Sequence, residues 1–226
     1  MRITTAGVVA GLIYTVLGVC WTVLAGAPWP TLLWFVLIAA VGVFVPGEAN
    51  QVSLARAYLA TPAAIYAARA EYGALAVVVA VAGLTDLVDG TVARRFKSPT
   101  SFGGALDPVV DGVFAAALAF GLALGGLFPV WLAIVVTARY FVPAIAGGVL
   151  LASGRRPELK HTLTGQVSTV LNLVLLGGIA LLRGLDQDPG NLVTGAEVVL
   201  PIAAVATFVH LAFAARRAPA TEAGAA

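Results

Sequence analysis

Apolar residues run along this chain in long unbroken stretches separated by short polar or Pro/Gly interruptions. Eight stretches stand out, at about 7–26, 30–46, 53–70, 73–93, 104–126, 129–152, 165–183 and 194–215, the second being the shortest. A bilayer core of roughly 30 Å needs about 20 helical residues, which is the length of most of these stretches. They are continuously apolar and lack the period-two alternation of a lumen-facing strand, so closed helices are expected rather than a barrel. The pattern predicts an all-α fold, a polytopic membrane helical bundle of about eight transmembrane helices.

Composition agrees with that reading. The 226 residues are 60% hydrophobic and 11% charged, with a mean hydropathy of +0.98, whereas soluble domains carry roughly 25% charged residues. The formal charge is +2, and the basic residues fall in short clusters rather than in a stripe that could follow a phosphodiester backbone, which argues against a nucleic-acid partner. The one cysteine, Cys20, excludes an internal disulfide framework and a cysteine metal cage.

The first stretch is expected to be retained rather than cleaved, because Gly26-Ala27-Pro28 is a poor cleavage context and a second apolar stretch follows at once. Pro28 and Pro30, then Pro46 and Gly47, punctuate the second stretch at both ends. Residues 1–48 therefore form an N-terminal transmembrane hairpin, without charge between Arg2 and Glu48, that offers packing surface but no chemistry. Its removal, residues 1–46, is expected to leave an active site elsewhere intact. Residues 49–217 form the main helical core, and 218–226, small and polar, a disordered tail.

Short cytoplasmic loops carry the excess of Lys and Arg. With eight spans, Arg2, Arg56, Arg94, Arg95, Lys97, Arg155, Arg156, Lys160, Arg216 and Arg217 share one side, Arg69 and Arg183 the other, and Arg139 lies inside a span. This distribution predicts a multi-pass protein of the cell membrane with both termini in the cytoplasm.

Four of the eleven acids, Asp86, Asp89, Asp107 and Asp111, sit at the cytoplasmic ends of the fourth and fifth stretches. A charge in a membrane helix costs about 2.5 kcal/mol or more, so intramembrane acids mark a functional site by default. Asp86 and Asp89 are spaced i, i+3 and Asp107 and Asp111 i, i+4, so each pair projects from one helical face. A short connection between the two helices brings both pairs to one depth as antiparallel neighbours. Four converging carboxylates repel, and burial disfavours their charged forms, unless cations offset them. Two divalent ions would do so. Oxygen-only ligation selects hard ions, Mg²⁺, with Mn²⁺ or Ca²⁺ as alternatives, over zinc, and two ions about 3.5–4 Å apart suit in-line phosphoryl displacement. Gly90, Ala93 and Gly103 leave the walls of that pocket without bulk.

Written out, Asp86-Leu-Val-Asp89-Gly90-Thr-Val-Ala93-Arg94, eight residues, Gly103, three residues, Asp107, three residues, Asp111 resembles the complete signature of the CDP-alcohol phosphotransferase family. The resemblance extends over about residues 50–215, a six-helix core that leaves the N-terminal hairpin as an addition. It implies metal-dependent transfer of a substituted phosphate from a CDP-linked lipid donor, such as CDP-diacylglycerol, to an alcohol, with release of CMP. Carried onto this chain, it makes Asp86, Asp89 and Asp107 metal ligands, and Asp111 both a ligand of the second metal and the general base on the acceptor hydroxyl. Three acids tied to metal are poor bases, while a fourth at the pocket edge can take a proton. Gly90, Ala93 and Gly103 would line the cytidine site, with Arg94 near the diphosphate. Upstream, Asn50-Gln51-Val-Ser53-Leu-Ala-Arg56 is similar to the family's Asn-x-x-Thr-x-x-Arg, which implies a nucleotide-phosphate contact. Ser53 as a helix N-cap and Arg56 as an interfacial anchor are the structural alternatives.

For the acceptor site, the candidates are Arg139, whose buried guanidinium must meet a phosphate, a carboxylate or carbonyls, and Arg155, Arg156 and Lys160, which the positive-inside rule also explains. Gly165-Gln166-Val-Ser168-Thr169-Val-Leu-Asn172 resembles the Gly-Lys-x-x-Thr-x-x-Gln of phosphatidylglycerophosphate synthases and related cardiolipin synthases, with Gln166 in place of Lys and Asn172 in place of Gln. That resemblance favours glycerol 3-phosphate as acceptor in phospholipid synthesis, with inositol phosphate or phosphatidylglycerol as alternatives, and many proteins of this kind pair as homodimers. Two further classes compete. An intramembrane prenyltransferase would carry a second, distant Asp-rich pair, and a cation-coupled transporter would carry helix breaks and an internal repeat.

Overall fold

The computed structural model describes residues 5–45, 48–96, 103–153 and 163–217. Among the described residues are eight α-helices and no strand: α1 (Thr5–Leu24), α2 (Thr31–Phe44), α3 (Glu48–Ala68), α4 (Tyr72–Phe96), α5 (Gly103–Leu124), α6 (Val130–Ala152), α7 (Leu163–Gly184) and α8 (Gly190–Arg217). The all-α expectation holds, and each of the eight apolar stretches corresponds to a helix. The largest displaced boundary is that of α3, which begins at Glu48 rather than near 53. Its first turn, Glu48-Ala-Asn50-Gln51-Val, is polar and so escapes a search for apolar runs.

Helix α3 is the hub. It packs against α2, α4 and α5; α4 and α5 each also reach α7; α6 lies on α5, and α8 closes on α6 and α7. Its stripe of Ala57, Ala60, Ala63 and Ala67 is fully buried, and small residues of this kind let membrane helices approach closely where lipid supplies no hydrophobic drive between them. The facing glycine shows how close α5 comes: a Cβ on Gly121 would sit 2.8 Å from the Ala64 carbonyl oxygen and 2.8 Å from the Ala67 Cβ. Around this core the surface is apolar, with Leu12, Leu24, Val77, Ile145 and Ile202 all exposed, a liability in water but a natural face toward lipid.

Four helices contain stretches long and apolar enough to cross a membrane, Gly7–Leu24, Val130–Val149, Val167–Gly184 and Gly190–Phe213. Shorter apolar helices span Thr31–Phe44, Tyr72–Thr85 and Pro108–Leu124. α3 falls short because Asn50, Gln51, Ser53 and Arg56 occupy its opening turns. At the opposite pole, the α1–α2 and α3–α4 turns meet through Arg69, whose Nη1 and Nη2 donate to the Ala25 and Gly26 carbonyls at 2.8 Å each. The Tyr72 hydroxyl donates to the Gly125 carbonyl at 3.2 Å in the same layer. Trp29, 74% exposed, lies in the α1–α2 turn and the exposed Trp131 at the start of α6, as expected of aromatic rings at a membrane interface.

The α1–α2 hairpin is part of the core rather than an appendage. Phe35 and Ile38 of α2 share a buried cluster with Leu54, Ala57 and Tyr58 of α3 and Val110 of α5. Nor is the hairpin restricted to apolar contact, because Trp21 Nε1 donates to the Tyr66 hydroxyl at 2.8 Å and Trp34 Nε1 to the Ala57 carbonyl at 3.0 Å.

The close α3–α5 approach makes Gly121 intolerant of bulk. Gly121→Val is expected to lower stability by about 1–3 kcal/mol through overpacking, read as a lower thermal unfolding midpoint in detergent. A midpoint unchanged from wild type would mean that the two helices have slack at this crossing.

Candidate functional site

The candidate site is built at one pole of the bundle. α3 and α5 begin there and α4 ends there, since the turns joining α3 to α4 and α5 to α6 lie together at the other pole. The backbone therefore brings three sets of candidate residues to one end: Asn50, Ser53 and Arg56 near the start of α3, Asp86, Asp89, Gly90, Ala93 and Arg94 on the last turns of α4, and Gly103, Asp107 and Asp111 on the first turns of α5. α4 and α5 share α3 and α7 as neighbours, so α3 lies against both arms of the expected hairpin. The side chains of residues 86–107 are outside the described ones. So are residues 155, 156 and 160 in full, while Gln166 is described only as a position on α7.

Asp111 has a described side chain. It belongs to the face of α5 that runs through Ala115, Leu118 and Leu122, all buried, at the i, i+4, i+7, i+11 spacing of one helical stripe. Arg56 Nη1 donates to Asp111 Oδ1, and the two side chains are 4% and 15% exposed. In so dry a place an ion pair needs good geometry and further hydrogen bonds to offset desolvation. Arg56 also changes the charge arithmetic of the acid cluster: one of roughly four negative charges has a protein cation beside it. Asn50 and Ser53 are buried on the same helix.

Two structural alternatives for this segment are corrected. Ser53 lies five residues inside α3, so it is not the N-cap. Arg56 is 3% exposed and turned inward onto Asp111, so it is not an interfacial anchor.

A second polar layer adjoins the first through α6 and α7. Arg139 is buried. Its Nε donates to Ser168 Oγ at 2.7 Å, its Nη2 to Thr169 Oγ1 at 3.2 Å, and its guanidinium lies 4.7 Å from the Tyr140 ring centroid. Two hydroxyls and a π-face thus help to orient this guanidinium. Asn172, wholly buried, donates from Nδ2 to the Ser168 carbonyl at 2.9 Å, which fixes the turn of α7 that carries both hydroxyls. The two layers touch at Gly112, next to Asp111, where a Cβ would come 2.8 Å from the Tyr140 Cβ. The supporting roles of Tyr140, Ser168 and Asn172 are additions to the sequence-based site. Their signal in the chain is polar residues at i, i+4 spacing, Ser168 and Asn172, within an otherwise apolar run.

The CDP-alcohol phosphatidyltransferase family model matches residues 48–212. The chain belongs to that family. The match begins with the first residue of α3, so α1 and α2 precede the family region. Family members are in general dependent on a divalent metal, and an all-carboxylate donor set, with Asp107 and Asp111 one turn apart on α5, suits a hard cation. Among curated relatives, the CDP-diacylglycerol--glycerol-3-phosphate 3-phosphatidyltransferase of Bacillus subtilis is 30% identical over 106 residues, 47% of this chain and 54% of the relative. A cardiolipin synthase (CMP-forming) of Streptomyces coelicolor is 33% identical over 92 residues, 41% and 42% of the two chains. The CDP-diacylglycerol--glycerol-3-phosphate 3-phosphatidyltransferase of Yersinia pestis is 32% identical over 136 residues, 59% and 71%. The match spans about half the length of the first two of these relatives. No solved structure matches the chain.

Arg56 and Asp111 form a unit whose halves fail separately. In the presence of chelator, Arg56→Met is expected to cost about 3–5 kcal/mol by stranding the carboxylate, whereas Arg56→Met combined with Asp111→Leu recovers most of that loss. Thermal or denaturant midpoints of the two variants against wild type check this, and equal midpoints for single and double variants would contradict the pairing.

Proposed function

We propose that this protein transfers a phosphatidyl group from CDP-diacylglycerol to an alcohol, with release of CMP, and that the acceptor is glycerol 3-phosphate. The observation that carries the reading is the inward clasp of Arg56 on Asp111, which joins the Asn-x-x-Ser-x-x-Arg segment of α3 to the acid motif of α5 in a family-matched core. The glycerol-3-phosphate acceptor is supported by the names of two relatives and by the resemblance of the α7 segment to phosphatidylglycerophosphate synthases. The Streptomyces relative and the loss of the lysine at Gln166 favour a second reading in which phosphatidylglycerol is the acceptor.

In this reading Asp86, Asp89, Asp107 and Asp111 would hold two Mg²⁺ ions, which supply stabilisation of the attacking and leaving oxygens when bound. Gly90, Ala93 and Gly103 would leave room for the cytidine, Arg94 would serve the diphosphate, and Asn50, Ser53 and Arg56 would orient the donor from α3. Asp111 accepts the proton of the acceptor hydroxyl as that oxygen attacks the β-phosphorus of the donor and the bond to CMP breaks. Arg56 keeps the carboxylate aimed during that step. An anionic acceptor needs fixed cations, and Arg139 with Arg155, Arg156 and Lys160 supplies them, with Gln166 as a neutral hydrogen-bonding partner. Arg139 is suited to it because its hydroxyl and aromatic neighbours help to orient a guanidinium that can hold an anion. Catalysis takes place on the cytoplasmic side of the cell membrane, the side to which the basic loops are assigned.

Purified protein with Mg²⁺, CDP-diacylglycerol and glycerol 3-phosphate is expected to release CMP, and chelator to stop it. Asp111→Asn is expected to lower kcat by at least about 100-fold, the scale of general-base loss, while donor binding stays near wild type. CMP release with phosphatidylglycerol or inositol phosphate instead would change the acceptor, and silence with every alcohol would overturn the reaction.

A further inference from the structure

The geometry points to the α1–α2 hairpin, which lies outside the family-matched residues, as the element that sets the rotation and register of α3, with Tyr14, Trp34 and Gln51 as positioning residues for the donor site. The inference rests on the proposed placement of Asn50, Ser53 and Arg56 at the donor.

The hairpin binds the backbone of α3 at two points that bracket Ser53 and Arg56. The Tyr14 hydroxyl of α1 donates to the Gln51 carbonyl at 2.7 Å, and the Trp34 indole of α2 to the Ala57 carbonyl at 3.0 Å. Ser53 and Arg56 lie between these two carbonyls. Gln51 returns the contact, its Nε2 donating to the Gly42 carbonyl at 2.7 Å and the Val45 carbonyl at 3.0 Å, at the end of α2. Rings reinforce the clamp, with Tyr14 stacked on Tyr58 at 5.3 Å and Phe35 against Tyr58 at 4.6 Å between centroids.

Directionality is what makes this more than packing. The opposite side of α3 presents alanines to α5, and small apolar contacts in a membrane are non-directional, so a helix held by them alone can turn or slide by a fraction of a turn at little cost. Hydrogen bonds to main-chain carbonyls have defined geometry, and two of them six residues apart on one helix specify both its rotation and its height. A rotation of α3 would carry Arg56 away from Asp111 and turn Asn50 and Ser53 with it. The buried cluster containing Phe35, Ile38 and Val110 links the same hairpin to α5, one residue from Asp111, so hairpin, α3 and α5 share one reference frame.

The test uses the full chain in lipid nanodiscs, comparing Tyr14→Phe/Trp34→Phe and Gln51→Met, which keep the apolar bulk and delete the donors, with wild type. Two readouts are taken: steady-state CMP release and amide exchange at residues 50–57. Each donor lost is expected to raise KM for the CDP-linked donor about fivefold, the effect of roughly one hydrogen bond, with kcat at saturating donor within about twofold. Exchange at 50–57 should rise while that of α8 does not. Val36→Ala, on the 52% exposed lipid face of α2, should match wild type in both. Should the double variant not fold, Tyr14→Phe alone carries the same expectation at one bond. Unchanged donor KM together with unchanged exchange overturns the proposal. A fall in kcat that tracks folded fraction at constant KM also overturns it, by making the hairpin a support only. An inert wild type would sink the reaction reading instead, while the exchange readout still decides whether the hairpin holds α3.

Discussion

A guanidinium and a carboxylate meeting inside a helical bundle with a lipid-facing surface is the constraint around which the rest of this fold is arranged. Burying either Arg56 or Asp111 at that depth is costly, and each offsets part of the other's desolvation. Together they draw α3 and α5 side by side, and the surrounding sequence permits this. The alanine stripe of α3 and Gly121 of α5 bring the two backbones close, and Asp111 continues the buried stripe that ends at Leu122. The other acids then arrive by covalent geometry: Asp107 one turn earlier on α5, Asp86 and Asp89 on the helix that also packs on α3.

A second buried cation lies on α6. Arg139 donates to Ser168 and Thr169 and lies over the Tyr140 ring, groups that help to orient its guanidinium. The tight contact of Gly112 with Tyr140 sets the two layers side by side. In the reaction proposed above, a lipid donor and an anionic acceptor, both negatively charged, would meet between them.

Much of the site could be read from the chain. The acid motif, its spacing and the six-helix core around it follow from residue types at fixed intervals, and the match over residues 48–212 agrees with that reading. Eight helices follow from eight apolar runs. The opening turn of α3 escaped because it is polar, and with it the inward direction of Ser53 and Arg56, which resembled an N-cap and an interfacial anchor. The hairpin was legible as two apolar helices but not as a clamp: tryptophan and tyrosine in an apolar stretch look like lipid-facing bulk until the carbonyl that each one reaches is known.

By itself the sequence determined what can be counted locally: the number and length of the helices, the excess of cations on one set of loops, and the two Asp pairs whose spacing puts each on one helical face. These follow from helical periodicity and from the energetic penalty of charge in lipid, both properties of short segments. Only the tertiary structure decided which buried charges pair. Arg56 and Asp111 are 55 residues apart, and Arg139 is separated from Ser168 by 29. Pairing at such separations depends on how helices turn about their axes when their small and large residues interlock, and no local pattern specifies that rotation.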